Sequence, residues 1–262
     1  MEYETHATIE IKSTRSFVRN DAILEPRYTL SDRQPVARLT QKMSKSLTIK
    51  DDYRIELITE EDTKEVLDFL KRFFFKDEPL NTAIELGECP ELEVYSLKSL
   101  PEKSSFKAVN SEKKIIGVLI NGLIKKAPPT ATPAKLADGC KHEKFRKILS
   151  LMDYIDSKFD IYDLYPNAEA ILDGKILSVD TAYRGLGIAG KLIERTIDYM
   201  KQHKIPVFNV LCTSHFSARV LEKLDFHEVY KLPYSEYVNE DGKQLLNPAL
   251  PHVAARILVK EI

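Results

Sequence analysis

The feature that most constrains the fold is the run Ile176-Leu177-Ser178-Val179-Asp180-Thr181-Ala182-Tyr183-Arg184-Gly185-Leu186-Gly187-Ile188-Ala189-Gly190. It reads as a strand, a glycine-rich turn and the first turn of a helix. Three of the nine glycines of the chain fall between 185 and 190. Glycine adopts positive φ and lets a ligand or a second backbone approach closely. Beyond the turn, Ile188, Ala189, Leu192, Ile193, Ile197 and Met200 recur with the 3.6-residue period of an amphipathic helix. The first N–H groups of such a helix lack intrahelical partners and lie at its positive dipole end. A turn built this way can cradle a phosphate or diphosphate.

Two common phosphate motifs fit poorly. The Walker A loop ends in Gly-Lys-Ser/Thr, and Gly190-Lys191-Leu192 has no hydroxyl. Gly185, Gly187 and Gly190 match G-x-G-x-x-G literally. They fall late in the chain, however, with one further strand-helix unit behind them, and a doubly wound dinucleotide fold needs several.

Composition narrows the class. At 262 residues the chain can bury a substantial core without staples. A net charge of −1 gives no global pull toward nucleic acid or an anionic membrane. No apolar run approaches the ~20 residues of a membrane span; the N-terminus shows no signal-peptide apolar core, and Glu2, Glu4 and Glu10 argue against a transit peptide. Cys89, Cys140 and Cys212 are odd in number and lack metal-ligand spacing, so they read as reduced thiols of a cytoplasmic protein with no metal.

Along the chain, residues 1–50 carry nine Lys and Arg against six acids without sustained periodicity, which predicts a disordered N-terminal extension. Residues 51–262 then read as one mixed α/β domain. Tyr53 to Ile58 reads as a strand with Ile55 and Leu57 on one face. Thr59-Glu60-Glu61-Asp62 is a helix-start signal, and Val66, Leu67, Phe69, Leu70, Phe73 and Phe74 form an apolar helical face behind it. Lys76-Asp77-Glu78-Pro79 stops that helix, because the residue before proline avoids the αR region. A short helix runs from Pro79 or Leu80 to Leu86. Ser105 to Asn110 and Lys114 to Ile124 read as a strand pair, and residues 126–140, with Pro128, Pro129 and Pro133, as a loop. A helix from His142 to Phe159 is followed by the central run, a strand Val207 to Cys212, a helix Ser214 to Leu224, and strands near Glu228–Tyr237 and Val253–Glu261.

Arg184-Gly185-Leu186-Gly187-Ile188-Ala189 resembles the R/Q-x-x-G-x-G/A acetyl-CoA signature of the GNAT acetyltransferase superfamily. Four further blocks are similar to the insect arylalkylamine N-acetyltransferases, the dopamine-acetylating group above all: Phe73 to Asn81, Lys147 to Asp153, Leu172 to Asp180, and Val210 to Val220. The likeness runs from about residue 52 to the C-terminus. It implies a mixed, twisted sheet with helices on both faces and a cofactor cleft where two strands splay. It implies acetyl-CoA as co-substrate and an arylalkylamine as acceptor: dopamine, serotonin, tyramine, octopamine or tryptamine. The expected protein is a monomer with a small-molecule partner and neither nucleic acid nor membrane.

The resemblance also assigns residues. An arylalkyl ammonium has a pKa on the order of 10 and must lose a proton before its nitrogen can attack. Position alone favours a solvated helix-end acid at 78 and does not separate Glu78 from Asp77; the family places its catalytic glutamate at Glu78. Leu177, Ser178 and Val179 then aim backbone groups at the acetyl and pantetheine arm. Arg184 faces the phosphates, with Gly185, Leu186, Gly187, Ile188 and Ala189 as backbone donors and Lys223 as a further contact. Thr213 and Ser217, four apart, offer hydroxyls to the sulfur. The family carries serine at 213, so Ser217 ranks first. Alternatives are a GNAT enzyme for polyamines or protein lysines, and a catalytically silent CoA-binding module.

Overall fold

The computed structural model describes residues 52–126 and 135–262. The expected N-terminal extension and most of the proline-containing loop lie outside the described residues.

Seven strands form one sheet in the order β1-β2-β3-β4-β5-β7-β6. They are Tyr53–Leu57 (β1), Phe106–Asn110 (β2), Ile115–Lys125 (β3), Ala170–Val179 (β4), Val207–Cys212 (β5), His227–Pro233 (β6) and Ala254–Glu261 (β7). Every neighbouring pair is antiparallel except β4 and β5. That pair is parallel and meets only at Leu172↔Phe208 and Asp173↔Asn209. Beyond those residues the two strands diverge. The upper half of β4 therefore keeps β3 on one side, with Leu177, Ser178 and Val179 opposite Leu119, Val118 and Gly117, and among the described residues has no strand on the other.

Eight helices among the described residues cover the sheet: Thr63–Arg72 (α1), Phe74–Asp77 (α2), Pro79–Ala83 (α3), Pro90–Leu97 (α4), Glu143–Asp156 (α5), Ile161–Leu164 (α6), Ile188–His203 (α7) and His215–Glu222 (α8). On one face, Ile188, Leu192, Ile193 and Met200 of α7 and Ala218 and Leu221 of α8 pack with Leu172, Phe208 and Leu258. On the other, Phe145, Ile148, Leu149 and Ile155 of α5 pack with Ile171, Val207 and Ile257, and Val66, Phe69 and Leu70 of α1 with Val118, Ile120 and Ile176. Burial of this apolar surface, at about 25 cal/mol per Å², drives the layering. Gly117 lets α7 come close: a Cβ there would lie 3.0 Å from Ile188 Cγ2.

The sheet and helices follow the predicted order, with local departures. Leu57 is exposed rather than inward-facing. β1 is an edge strand, and the chain turns in at Ile58, which is 1% exposed and whose N–H donates to the Ser105 carbonyl. The first helix breaks at Phe73 and resumes for one turn before Glu78. α4 escaped the periodicity reading because it buries only Leu92 and Ser96 and leaves Val94 71% exposed. Thr59 and Asp62 do form a reciprocal cap, with Thr59 N–H and Oγ1 donating to Asp62 Oδ2 at 2.8 and 3.0 Å, but it opens a single 3-10 turn ahead of α1.

α8 starts at Ser214, whose Oγ accepts the Phe216 N–H at 3.2 Å. Ser214→Ala should lower unfolding stability by about 1 kcal/mol, the usual value of such a cap. Denaturant melts measure it, and an unchanged midpoint would show that the cap contributes nothing.

Candidate active site

The splayed strands are bounded at the β4 end by the glycine-rich turn. Gly185 and Gly187 both hold φ +79°, a left-handed conformation that side-chain-bearing residues rarely adopt. Gly187 is the N-cap of α7, and no side chain caps that end. Beyond the glycines' own chain neighbours and, for Gly190, the adjoining helix backbone, no heavy atom of the described residues lies within 4 Å of the position a Cβ would take at Gly185, Gly187 or Gly190. The turn is therefore open in front of its glycines, and it leads into a helix N-terminus whose first N–H groups have no side-chain cap. These are the properties a diphosphate requires, so the residues present fit the diphosphate of CoA. Leu186, Ile188 and Ala189 complete the turn; Ile188 is buried with its side chain in the core, leaving its backbone as the group available to a ligand.

Arg184 has two partners within the chain. Its Nε donates to the Val179 carbonyl at 3.1 Å, and its Nη2 pairs with Asp77 Oδ2. Both side chains of that ion pair are 46% exposed. The pair ties the glycine turn to the segment just before Glu78.

That pair also separates the two neighbouring acids. Asp77 is an exposed salt-bridge partner, whereas Glu78 is 9% exposed. The proline after it holds Glu78 extended, at φ −67° and ψ 125°, and this makes Glu78 the N-cap of α3. Its Oε2 accepts the Asn81 N–H at 2.6 Å. Its Oε1 accepts the Thr213 hydroxyl at 2.9 Å, across 135 residues of chain. Burial raises the Glu78 pKa, against the lowering effect of the N–H groups of Asn81 and Leu80 and the Thr213 hydroxyl. The result is a carboxylate with a stronger hold on a proton than an exposed glutamate has, yet with donors ready for its charged form. An acid at the N-cap with proline at N1 was a legible signal for this placement; the partner at 213 was not.

Thr213 follows β5 directly and precedes the cap of α8. The Ser217 hydroxyl instead donates to the Ser214 carbonyl at 2.9 Å; behind it lies the buried Cys212 thiol. Burial pushes that thiol up to about 12, so it stays protonated. Of the two candidate hydroxyls, the one ranked second from sequence is the one the structure brings onto the carboxylate. Lys223 lies exposed at the C-cap of α8, at the opposite end of that helix from Thr213. His215 donates its N–H to His252 Nδ1 at 3.1 Å. Burial lowers the His252 pKa, with His215 adding to the effect. Two residues of the site, Asn81 and Tyr234, were not singled out from sequence. Tyr234 is 2% exposed and donates its hydroxyl to the Thr213 carbonyl at 2.9 Å.

No protein-family model matches the chain. Among solved structures, arylalkylamine N-acetyltransferase 2 of Aedes aegypti is 30% identical, with 81% of this chain and 100% of that one aligned at a TM-score of 0.77. The mosquito arylalkylamine N-acetyltransferase-like 5b is 25% identical over 80% of this chain and 100% of its own, at 0.71. The Drosophila melanogaster polyamine N-acetyltransferase, which forms N-acetylagmatine, is 22% identical over 80% and 100%, at 0.70, and shares the fold. With the whole of a 30% identical relative covered and the splayed seven-stranded sheet in place, the chain belongs to the insect arylalkylamine N-acetyltransferase family and carries the GNAT fold.

Proposed function

We propose that the chain acetylates the primary amine of an arylalkylamine such as dopamine, serotonin, tyramine, octopamine or tryptamine, with Glu78 as general base. The observation that carries this reading is the buried Glu78 carboxylate held against Thr213 beside the divergence of β4 and β5. Acetyl-CoA supplies the activated acetyl thioester. Gly185, Leu186, Gly187, Ile188 and Ala189 would hold its diphosphate through backbone N–H groups, with Arg184 adding charge. Leu177, Ser178 and Val179 would meet the acyl arm along the unpaired edge of β4. Lys223 is a further phosphate contact only if the cofactor reaches the far end of α8.

Glu78 takes a proton from the substrate ammonium, directly or through the Thr213 hydroxyl, and frees the nitrogen lone pair. Its raised pKa brings it nearer the amine's, which lowers the cost of that transfer. The Thr213 and Ser217 hydroxyls are the protein's donors for the departing sulfur. The chain acts as a monomer in the cytoplasm, with residues 51–262 as the catalytic domain. Among the described residues, no helix is long and apolar enough to cross a membrane.

The polyamine alternative requires acids for a second cation; Asp173, on the sheet face that α5 covers, already binds Lys175 Nζ at 3.1 Å and the Asn209 amide at 3.0 Å. Thiol release from acetyl-CoA, measured in parallel with dopamine, tryptamine, spermidine and a lysine peptide, separates the readings. Turnover of the aromatic amines above the others is expected. Turnover of spermidine alone would replace this reading with the polyamine one, and CoA binding without turnover of any amine would leave a silent module.

A further inference from the structure

We propose that Tyr234 is a positioning residue for the acid–base pair: its hydroxyl anchors the Thr213 carbonyl and so fixes the Thr213 hydroxyl on Glu78. The inference rests on Glu78 acting as the base.

Thr213 lies just past the end of its ladder. The pairing of β5 with β7 stops at Cys212↔Arg256, so the next backbone step has no strand to hold it. Tyr234 takes over that task. Its hydroxyl donates to the Thr213 carbonyl at 2.9 Å, and the tyrosine is itself held firmly. Its N–H donates to the Val253 carbonyl at 3.0 Å, and its own carbonyl accepts the Tyr237 N–H at 3.2 Å. The ring belongs to the same apolar cluster as Leu80, a residue of the helix that Glu78 caps.

Threonine is stiff at χ1. Once the backbone at 213 is oriented, few directions remain for Oγ1, and the one it takes points to Glu78 Oε1 at 2.9 Å. Loss of the anchor would be felt at the carboxylate, two hydrogen bonds away. Burial, with the Glu78 charge adding to it, raises the tyrosine pKa and keeps its hydroxyl a donor.

The other titratable groups around the pair are Asp77 on the segment before Glu78 with its partner Arg184 in the glycine turn, Cys212 at the end of β5, His215 at the start of α8, and its hydrogen-bond partner His252 just ahead of β7. All are left in place by a change at Tyr234.

The test is the pH profile of kcat/KM for the amine at saturating acetyl-CoA, for Tyr234→Phe, Thr213→Val, the double variant and Glu78→Gln. Tyr234→Phe keeps the ring and removes only the donor. It is expected to lower kcat/KM about tenfold, the value of one buried hydrogen bond, and to move the acid limb to higher pH. The shift has this sign because a loosened Thr213 no longer favours the charged carboxylate. Thr213→Val should shift the limb at least as far. The double variant should go no further than Thr213→Val, since the tyrosine acts through that hydroxyl.

An unmoved limb in Tyr234→Phe, or a shift that adds fully to that of Thr213→Val, overturns the proposal. Glu78→Gln keeps the two failures apart. If it abolishes the acid limb while Tyr234→Phe leaves the limb in place, only the role of Tyr234 falls. If it retains the limb, the base is not Glu78.

Discussion

Replacing Glu78 by glutamine is expected to lower kcat/KM for the amine by about 10²–10⁴-fold at pH 7, the range a positioned general base contributes. The substitution keeps the size of the side chain and an oxygen that can accept the Asn81 N–H, so the loss reports proton transfer rather than collapse of α3. The pH dependence carries the sign. Burial raises the Glu78 pKa, so the wild-type rate falls as pH drops through that raised value and the carboxylate is neutralised. The variant has no such limb. Its rate follows the fraction of free amine, which grows up to a pH of about 10. The gap between the two enzymes therefore narrows as pH rises. A rate at pH 7 equal to that of the wild type would remove Glu78 from the mechanism.

Stability moves with pH in a related way. A carboxyl whose folded-state pKa is raised holds its proton more tightly in the native protein than in the unfolded chain. Stability therefore falls as pH climbs from the ordinary carboxylate range through the raised value. Glu78→Gln should flatten that part of the stability profile, which thermal melts across pH can read.

Substituting Gly187 by valine is expected to weaken acetyl-CoA binding by about 10²–10³-fold, as loss of two charge-assisted hydrogen bonds would. Two effects combine. The residue holds φ +79°, where a β-branched side chain costs about 1–2 kcal/mol. The added atoms also occupy space at the uncapped α7 N-terminus that, beyond the chain neighbours, no heavy atom of the described residues now fills. Calorimetry with acetyl-CoA measures the affinity and a denaturant melt measures the strain. Undiminished affinity would mean that the turn is a structural corner and that the cofactor is held elsewhere.

Much of the architecture was legible because periodicity and turn chemistry are local. The apolar face of α7 needed only a 3.6-residue count, and the proline after Glu78 set the end of one helix and the start of the next. The glycine turn was readable as a place where the backbone could adopt positive φ, and Gly185 and Gly187 do so while Gly190 joins the helix. Local reasoning failed where burial is set by distant chain. Nothing near Leu57 shows that β1 is an edge strand, and α4 has too few buried positions for its period to stand out. The different partners of the two hydroxyls were out of reach of local reasoning for the same reason. Spacing makes Thr213 and Ser217 equal candidates on one helical face, but Ser217 turns to the Ser214 carbonyl while Thr213 reaches the carboxylate.

The amino-acid sequence by itself determined the strand–glycine turn–helix unit, the apolar faces that must pack on it, and a carboxylate at a helix N-cap upstream. Each follows from bonds and contacts within a few residues. Only the tertiary structure decided which acid is withdrawn from water and what holds it. Asp77 goes to Arg184 at the surface, and Glu78 goes to Thr213 beside the opened strands, with Tyr234 behind. The Glu78 pKa depends on desolvation and on hydrogen-bond partners; Asn81 lies three residues away, but Thr213 arrives from 135 residues along the chain.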